Sequence, residues 1–239
     1  MSILFDAVDD IIDCGSSATL NNLESQGGGG LSIYVSMFPE GTGEGGQGNI
    51  VSKDETLNVG RLVFATAVPS RILFTKSYLS GTNLTADFTF TTNVWQNILV
   101  TWDGGSTASA AIKFYRGGLI VANSNLVNGF GALATDTLLG FHIGNRGNGA
   151  RTFDGFIREC AVWNEVLSDY DATLLNSGVS GTPKQIRPAA LMGYWALDDF
   201  SDGATATGTN SIRDQSGNEN HGTPTGNPVS RAQSTLSYP

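Results

Sequence analysis

The chain has 239 residues, of which 40% are hydrophobic, only 15% are charged and 31 are glycine. Its formal net charge of −9 gives a surface that repels phosphate, so we expect no nucleic-acid partner. No apolar run reaches the length of a membrane span, and "MSILFDAVDD" lacks the basic start and apolar stretch of a signal peptide. We therefore predict neither membrane insertion nor a secretion signal.

Strand-like segments follow one another along the chain. "ILFDAVDDIIDC" at 3–14 is typical of two short strands around an acidic turn, and "LSIYVSMF" at 31–38 alternates as a half-buried strand does. The glycine-rich stretch at 41–48 is expected to be a loop. Later strand patterns lie at 49–53, 61–67, 71–79, 86–92, 95–104, 111–123 and 138–164. Strands at intervals of about 8–12 residues predict an all-β sandwich of two antiparallel sheets.

One short helix is predicted at 168–178. Ser168 is placed to cap its N-terminus, and Asp169 and Asp171 fall in its first turn, where negative charge is favourable. Gly178 is suited to end it. No other segment of the chain has comparable helix signals.

Three long segments resemble a known family. They are "FDAVDDIIDCG", "WQNILVTWDG" with the "IKFYRGG" that follows it, and "HIGNRGNGARTFDGFIRECAVWNEVLS". Together they resemble the LamG-like, concanavalin A-type jelly-roll family, in the family's order and over nearly all of the chain. The resemblance implies a two-sheet jelly roll that binds glycans or proteins, often with a bound calcium ion.

Two further segments depart from the family's order. In the family, strings similar to "GYWALDD" (193–199) and "DQSGNENHG" (214–222) precede the strand that resembles "FDAVDD", whereas here they come last. We therefore predict a circularly permuted jelly roll, with 1–176 as the main sandwich, 177–189 as a linker and 190–239 as a C-terminal strand segment. That segment either completes its own sandwich or docks on a neighbouring subunit.

Oxygen-bearing side chains in two of these motifs suit calcium, which prefers carboxylate, amide and backbone oxygens. The candidate ligands are Asp9 and Asp10 in "FDAVDD", and Asp214 and Asn218 in "DQSGNENHG". The alternative is that Asp214 and Asn218 close an Asx-type turn without metal. Arg158 stands where the family often has an acidic residue, so a cation replaces one oxygen ligand there.

Two groups of residues are candidates for glycan contact. The loop "GNRGNGAR" at 144–151 offers Asn145, Arg146, Asn148 and Arg151, which either bind a carboxylate or form a solvated turn. Tryptophan faces suit sugar rings, but each tryptophan lies in an apolar strand pattern. We therefore predict that all four are core residues: Trp95, Trp102, Trp163 and Trp195.

Catalysis is not predicted, because no two glutamates have the E-x-D-x-x-E spacing of related glucanases, and neither His142 nor His221 has a nucleophile to activate.

The segment 191–223 is similar to LamG-like virion proteins of tailed bacteriophages. We predict a non-enzymatic virion surface protein, either a capsid decoration or a fibre component, that is made in the host cytoplasm. We expect it to form a homo-oligomer, to contact other virion or coat proteins, and to bind host glycans. The tail "STLSYP" at 234–239 suits docking by strand addition. The alternative is a secreted or cell-surface, calcium-dependent carbohydrate-binding module.

Overall fold

Two eight-stranded antiparallel sheets form the body of the protein in a computed structural model, which describes residues 1–26, 29–55, 60–177 and 182–232. The strands are β1 (Ser2–Asp6), β2 (Ile11–Asp13), β3 (Leu31–Pro39), β4 (Gln47–Lys53), β5 (Leu62–Ala67), β6 (Arg71–Ser77), β7 (Asn83–Thr89), β8 (Gln96–Trp102), β9 (Lys113–Arg116), β10 (Leu119–Val121), β11 (Ser124–Val127), β12 (His142–Ile143), β13 (Asp154–Trp163), β14 (Leu191–Trp195), β15 (Thr223–Thr225) and β16 (Val229–Arg231). The all-β sandwich predicted from the sequence is confirmed.

The first sheet has the order β10-β9-β8-β3-β13-β1-β16, and β14 pairs with β13 beside β1. The second sheet has the order β11-β7-β6-β5-β4-β12-β2-β15. Within the described ranges there is one α-helix, α1 (Asp169–Asn176). Short 3-10 turns occupy Ala18–Leu20, Leu23–Ser25, Glu44–Gly46, Ser109–Ala111, Pro183–Gln185 and Pro188–Ala190. No helix in these ranges is long and apolar enough to cross a bilayer.

Alternation along the strands divides apolar side chains between two cores. On β3, Ile33, Val35 and Met37 point into the main core between the sheets. Tyr34 points the other way, into a second core formed with α1 and the segment before β14. Because both of its faces are covered, the whole of β3 is buried, which explains its nearly continuous apolar composition.

The helix begins where the sequence predicts. Ser168 and Asp171 form a reciprocal capping box, in which the Asp171 N–H donates to Ser168 Oγ (3.2 Å) and the Ser168 N–H donates to Asp171 Oδ2 (2.9 Å). Ala172 and Leu175 face the second core. The helix ends at Asn176, and the predicted stop, Gly178, lies outside the described residues.

The C-terminal segment contributes strands to both sheets of its own chain. β14 pairs with β13, β15 with β2, and β16 with β1. The part of the predicted linker that is described, 182–189, packs on the second core through buried Ile186, whose carbonyl accepts from Trp163 Nε1 (2.8 Å). The circular permutation and an exchange of this segment between subunits stay predictions, and the tail at 234–239 lies outside the described residues.

Candidate functional site

The turn at 214–222 satisfies its own carboxylate. Asp214 Oδ1 accepts from the N–H groups of Tyr194 (2.9 Å) and Ser216 (2.8 Å). Its Oδ2 accepts from Ser216 Oγ (2.8 Å) and the Asn220 N–H (2.9 Å). Four donors therefore surround this largely buried carboxylate and fasten the turn to β14, so Asp214 has the surroundings of an Asx-type turn residue.

Asn218 and His221 serve the same turn. Asn218 Nδ2 donates to the carbonyls of Leu191 (2.9 Å) and Met192 (3.2 Å). His221 Nδ1 accepts from the Asp214 N–H (3.1 Å). Both side chains hold the polypeptide, which corresponds to the metal-free alternative for this motif.

A second acidic group has the opposite character. Oxygen atoms of Asp6, Asp9 and Asp10 all lie within 4.8 Å of one another. Asp10 is only 2% exposed; its Oδ2 accepts from the Asp6 N–H (3.0 Å), whereas its Oδ1 has no hydrogen-bond partner among the described residues. Burial, followed by the negative charges of Asp6 and Asp9, raises the pKa of Asp10 to about 7. We call these three residues the acidic cluster.

The four predicted calcium ligands thus lie in two places. Asp9 and Asp10 precede β2 and pack against Gly226, where an added Cβ would come within 2.5 Å of the Asp9 carbonyl oxygen. The turn of Asp214 and Asn218 lies at the other end of the short β2–β15 ladder, near Gly222. The structure brings Asp6 to Asp9 and Asp10, and among the described carboxylates Asp214 is not part of this group.

The predicted ligand loop is organised by a buried amide. Asn145 is fully buried; its Nδ2 donates to the Asp10 carbonyl (3.2 Å) and to Thr152 Oγ1 (2.6 Å). Its Oδ1 accepts from the N–H groups of Arg146 (2.7 Å) and Arg151 (2.9 Å). Asn145 therefore shapes the loop from inside and is not available to a ligand.

The remaining residues of this loop lie over the second sheet. Arg146 Nε lies 2.9 Å from Asp54 Oδ2, and Arg61 Nε lies 3.3 Å from the same oxygen. Asn148 is exposed and Arg151 is partly exposed. The sequence does not predict that Arg61 and Asp54 belong to this site, because both residues are far from the loop along the chain. Carboxylate binding by this loop stays a prediction.

Three of the four tryptophans are buried as predicted, and Trp95 is not. Trp95 is half-buried on the outer face of the first sheet, with its ring 5.8 Å from Phe38 and the Arg158 guanidinium 5.5 Å from its centroid. The core prediction for Trp95 is therefore wrong. Strand alternation predicts the orientation of Trp95. Trp102 faces the core, and because the two residues are an odd number of positions apart, seven, their side chains lie on opposite faces of the strand.

Trp95 forms one wall of a groove of about 460 Å³. The groove is lined by Thr91, Val94, Trp95, Gln96, Asn97, Arg116, Gly117 and Asn176. Gln96 is only 6% exposed, and its Oε1 and Trp95 Nε1 have no hydrogen-bond partner in the part of the chain that the structure describes. Asn97 Nδ2 donates to Asn176 Oδ1 (3.0 Å). Gln96 alternates with Trp95 and faces the core side of β8, so the groove offers the Trp95 ring and the accessible amides of Asn97 and Asn176.

Three separate segments build this groove. The β7–β8 connection and the start of β8 supply residues 91–97, the end of β9 and the β9–β10 turn supply Arg116 and Gly117, and the end of α1 supplies Asn176. The turn approaches the helix closely because Gly118, at φ +79°, leaves its backbone near the helix; a Cβ there would lie 3.1 Å from the Ala172 carbonyl oxygen.

Comparison with known proteins places the fold. The model of the Laminin_G_3 family, described as the Concanavalin A-like lectin/glucanases superfamily, matches residues 14–172, more than half of the chain. No curated protein matches in sequence. A Bacteroides ovatus ATCC 8483 protein named as a putative carbohydrate binding protein is similar in structure, at 16% identity and a TM-score of 0.62, over 99% of this chain and 61% of its own.

Two other solved structures have lower scores. The CBM40 of the Ruminococcus gnavus IT-sialidase, bound to α2,3-sialyllactose, has 16% identity and a TM-score of 0.47, over 62% of this chain and 83% of its own. The binding domain of botulinum neurotoxin serotype G has 12% identity and a TM-score of 0.45, over 74% of this chain and 38% of its own. At these identities the likeness concerns the fold alone.

Proposed function

The chain belongs to the Concanavalin A-like lectin/glucanases superfamily, and from this premise we propose that it is a non-catalytic carbohydrate-binding module whose sugar site is the groove beside Trp95. The observation that carries the proposal is the partly exposed Trp95 side chain in a groove that Asn97, Arg116 and Asn176 also line. A sugar ring has an apolar face that stacks on an aromatic side chain and hydroxyl groups that pair with amides.

The dimensions and chemistry of the groove support this function. Its volume of about 460 Å³ falls in the range of small-ligand sites, about 300–1,000 Å³. Sugar hydroxyls can pair with the side-chain amides of Asn97 and Asn176, which line the same groove and are accessible. Arg116, on the opposite wall, adds donors for hydroxyl or carboxylate oxygens.

The test is oligosaccharide binding by Trp95→Ala. We expect the wild-type chain to bind a member of a panel of neutral and acidic oligosaccharides in calorimetry, and Trp95→Ala to weaken that binding at least about tenfold, which corresponds to about 1.4 kcal/mol. Tyr170→Ala, which removes an exposed aromatic side chain on α1, is the matched control and should bind as the wild type does. Equal affinity of the Trp95→Ala and wild-type chains would exclude the groove as the sugar site.

We propose in addition that the acidic cluster holds a calcium ion. Its residues fit the ion because three carboxylates converge and Asp10 Oδ1 is buried without a partner. A bound cation would offset the repulsion among the carboxylates and hold the segment before β2. Calorimetric titration with CaCl₂ should show binding that Asp9→Asn and Asp10→Asn weaken, whereas Asp103→Asn, in a different exposed turn, should leave it unchanged.

The second candidate function is a virion surface role, as a decoration or fibre component that contacts coat proteins. An apolar edge of the sandwich, with Leu119, Ile120, Leu126 and Val127 exposed, favours a chain that associates with other subunits. Deletion of 233–239 should then abolish higher-order assembly and leave the melting temperature unchanged. A monomer that binds sugar with or without these residues would instead support a free-standing module, including the secreted or cell-surface alternative.

A further inference from the structure

One lateral edge of the sandwich is open. β10 and β11 are the terminal strands of the two sheets, and residues 122–123 connect them, so their outer edges lie side by side. A groove of about 370 Å³ runs between them, with Ile112, Ile120 and Leu126 in its lining. We call this surface the β10–β11 edge.

The backbone of this edge has unused pairing capacity. In the described ranges β10 pairs only with β9, and β11 only with β7. The outward N–H and C=O groups of a terminal strand can pair with a strand from another molecule. Short edge strands usually carry charged residues that discourage such pairing, and neither β10 nor β11 has one.

The side chains of the edge are apolar and exposed. Ile120 is 59% exposed, and four neighbours have a comparable or greater exposure: Leu119, Leu126, Val127 and Phe130. Several large apolar side chains exposed on neighbouring edge strands favour this surface as a site of association. Removing these side chains from water would stabilise a complex by the hydrophobic effect.

Charge identifies the partner that suits this edge. The segment 117–135 contains no Asp, Glu, Lys or Arg, and Lys113 is the one charged residue in the lining of the adjoining groove, although the whole chain has a net charge of −9. Two copies repel each other through their excess carboxylates, and this edge is one place where they can meet without carboxylates opposing. A highly charged partner would find no ion pairs within the segment.

We infer that the β10–β11 edge binds a second copy of the chain across a two-fold axis. β10 then runs antiparallel to β10 of the other copy, which extends the first sheet, and the apolar side chains pack across the axis. The β10–β11 edge and the groove beside Trp95 are built from different residues. The dimer can therefore be tested without reference to sugar binding.

The test measures mass as a function of concentration. Light scattering and sedimentation of the full chain should show the mass of two chains, dissociating to one on dilution. Ile120→Lys should raise the dimer dissociation constant at least about 30-fold, the loss expected for a central interface residue. Leu138→Lys is the matched control, because Leu138 is 92% exposed and lies outside the edge, and it should dimerise as the wild type does.

Two further readouts keep the result interpretable. The melting temperature of dilute Ile120→Lys should equal that of dilute wild type, since Ile120 is largely exposed. Amide hydrogen exchange at 119–121 should slow as the wild-type concentration rises, and it should not slow for Ile120→Lys. A wild-type chain that stays monomeric at every concentration overturns the inference, as does a dimer whose 119–121 amides exchange at the same rate as in the monomer.

Discussion

Two segments that carry carboxylates, the turn at 214–222 and the segment 5–10, differ in physical character. Each oxygen of Asp214 accepts hydrogen bonds from nearby donors. In the acidic cluster, the carboxylates face one another and Asp10 Oδ1 has no partner among the described residues. A carboxylate surrounded by donors is stable as an anion without metal, whereas crowded carboxylates favour a proton or a cation. Donors, and not the number of acids, therefore separate the satisfied turn from the segment for which we propose a cation.

The largest effect should come from removing the satisfied carboxylate. Asp214→Ala should lower the free energy of unfolding by about 4 kcal/mol, because buried N–H groups of Tyr194 and Asn220 lose their acceptor. Urea denaturation measures this loss. Glu219→Ala is the control, since Glu219 is an exposed carboxylate of the same turn, and it should cost less than about 1 kcal/mol. Similar losses in the two variants would contradict the distinction between the segments.

The next effect concerns pH and the crowded carboxylate. The folded chain keeps the Asp10 proton up to a pKa of about 7, whereas the unfolded chain releases it near 3.8, so the folded state binds more protons between these values. Raising the pH through this window therefore destabilises the fold, by at most roughly 4 kcal/mol from this group.

Asp10→Asn isolates that contribution. Without added calcium, the unfolding free energy of the wild type should fall relative to that of Asp10→Asn as the pH rises from about 4 to about 7, and the difference should be constant above this window. Chemical denaturation at several pH values measures both. Parallel profiles for the two proteins would show that Asp10 does not titrate in this window.

Calcium should act on one segment and not on the other. At a concentration about 100 times the dissociation constant, the ion should stabilise the wild type by about 2.7 kcal/mol. The same rise in melting temperature is expected for Asn218→Ala and not for Asp10→Asn. A rise that disappears in Asn218→Ala instead would move the ion to the turn at 214–222.

The smallest effect should follow from Asn218→Ala itself. Its amide donates to the carbonyls of Leu191 and Met192, and these neutral bonds are partly exposed. Their loss should cost about 1 kcal/mol in urea denaturation. If Asn218→Ala lowers the free energy of unfolding as much as Asp214→Ala does, Asn218 stabilises the turn by more than its hydrogen bonds account for.

Features with local causes were accessible from the sequence. Alternation along "LSIYVSMF" predicted β3, and Ser168 with Asp171 predicted the start of α1, because strand periodicity and helix capping depend on residues a few positions apart. The burial of Trp102, Trp163 and Trp195 followed from the same patterns. Trp95 lies just before β8, and its outward orientation could have been read from the alternation of that strand.

The candidate site was much less accessible, and Asn145 shows why. As a polar residue in a glycine-rich loop it was expected at the surface, yet it is buried because Asp10 and Thr152 offer it partners. Its burial depends on a contact with a residue 135 positions away. Loop composition predicts a turn, but it does not report which distant groups will satisfy the polar atoms inside that turn.

By itself, the sequence determined the class of fold, the positions of most strands and the single described helix, since these follow from local periodicity, turn residues and capping. The tertiary structure decided which acidic segment receives hydrogen-bond donors, that Trp95 faces a groove completed by Arg116 and Asn176, and that β10 and β11 lie at one open edge. These outcomes depend on strand order and long-range packing. Hydrogen-bond partners and burial are properties of the assembled sheets, and neighbouring residues in the chain do not specify them.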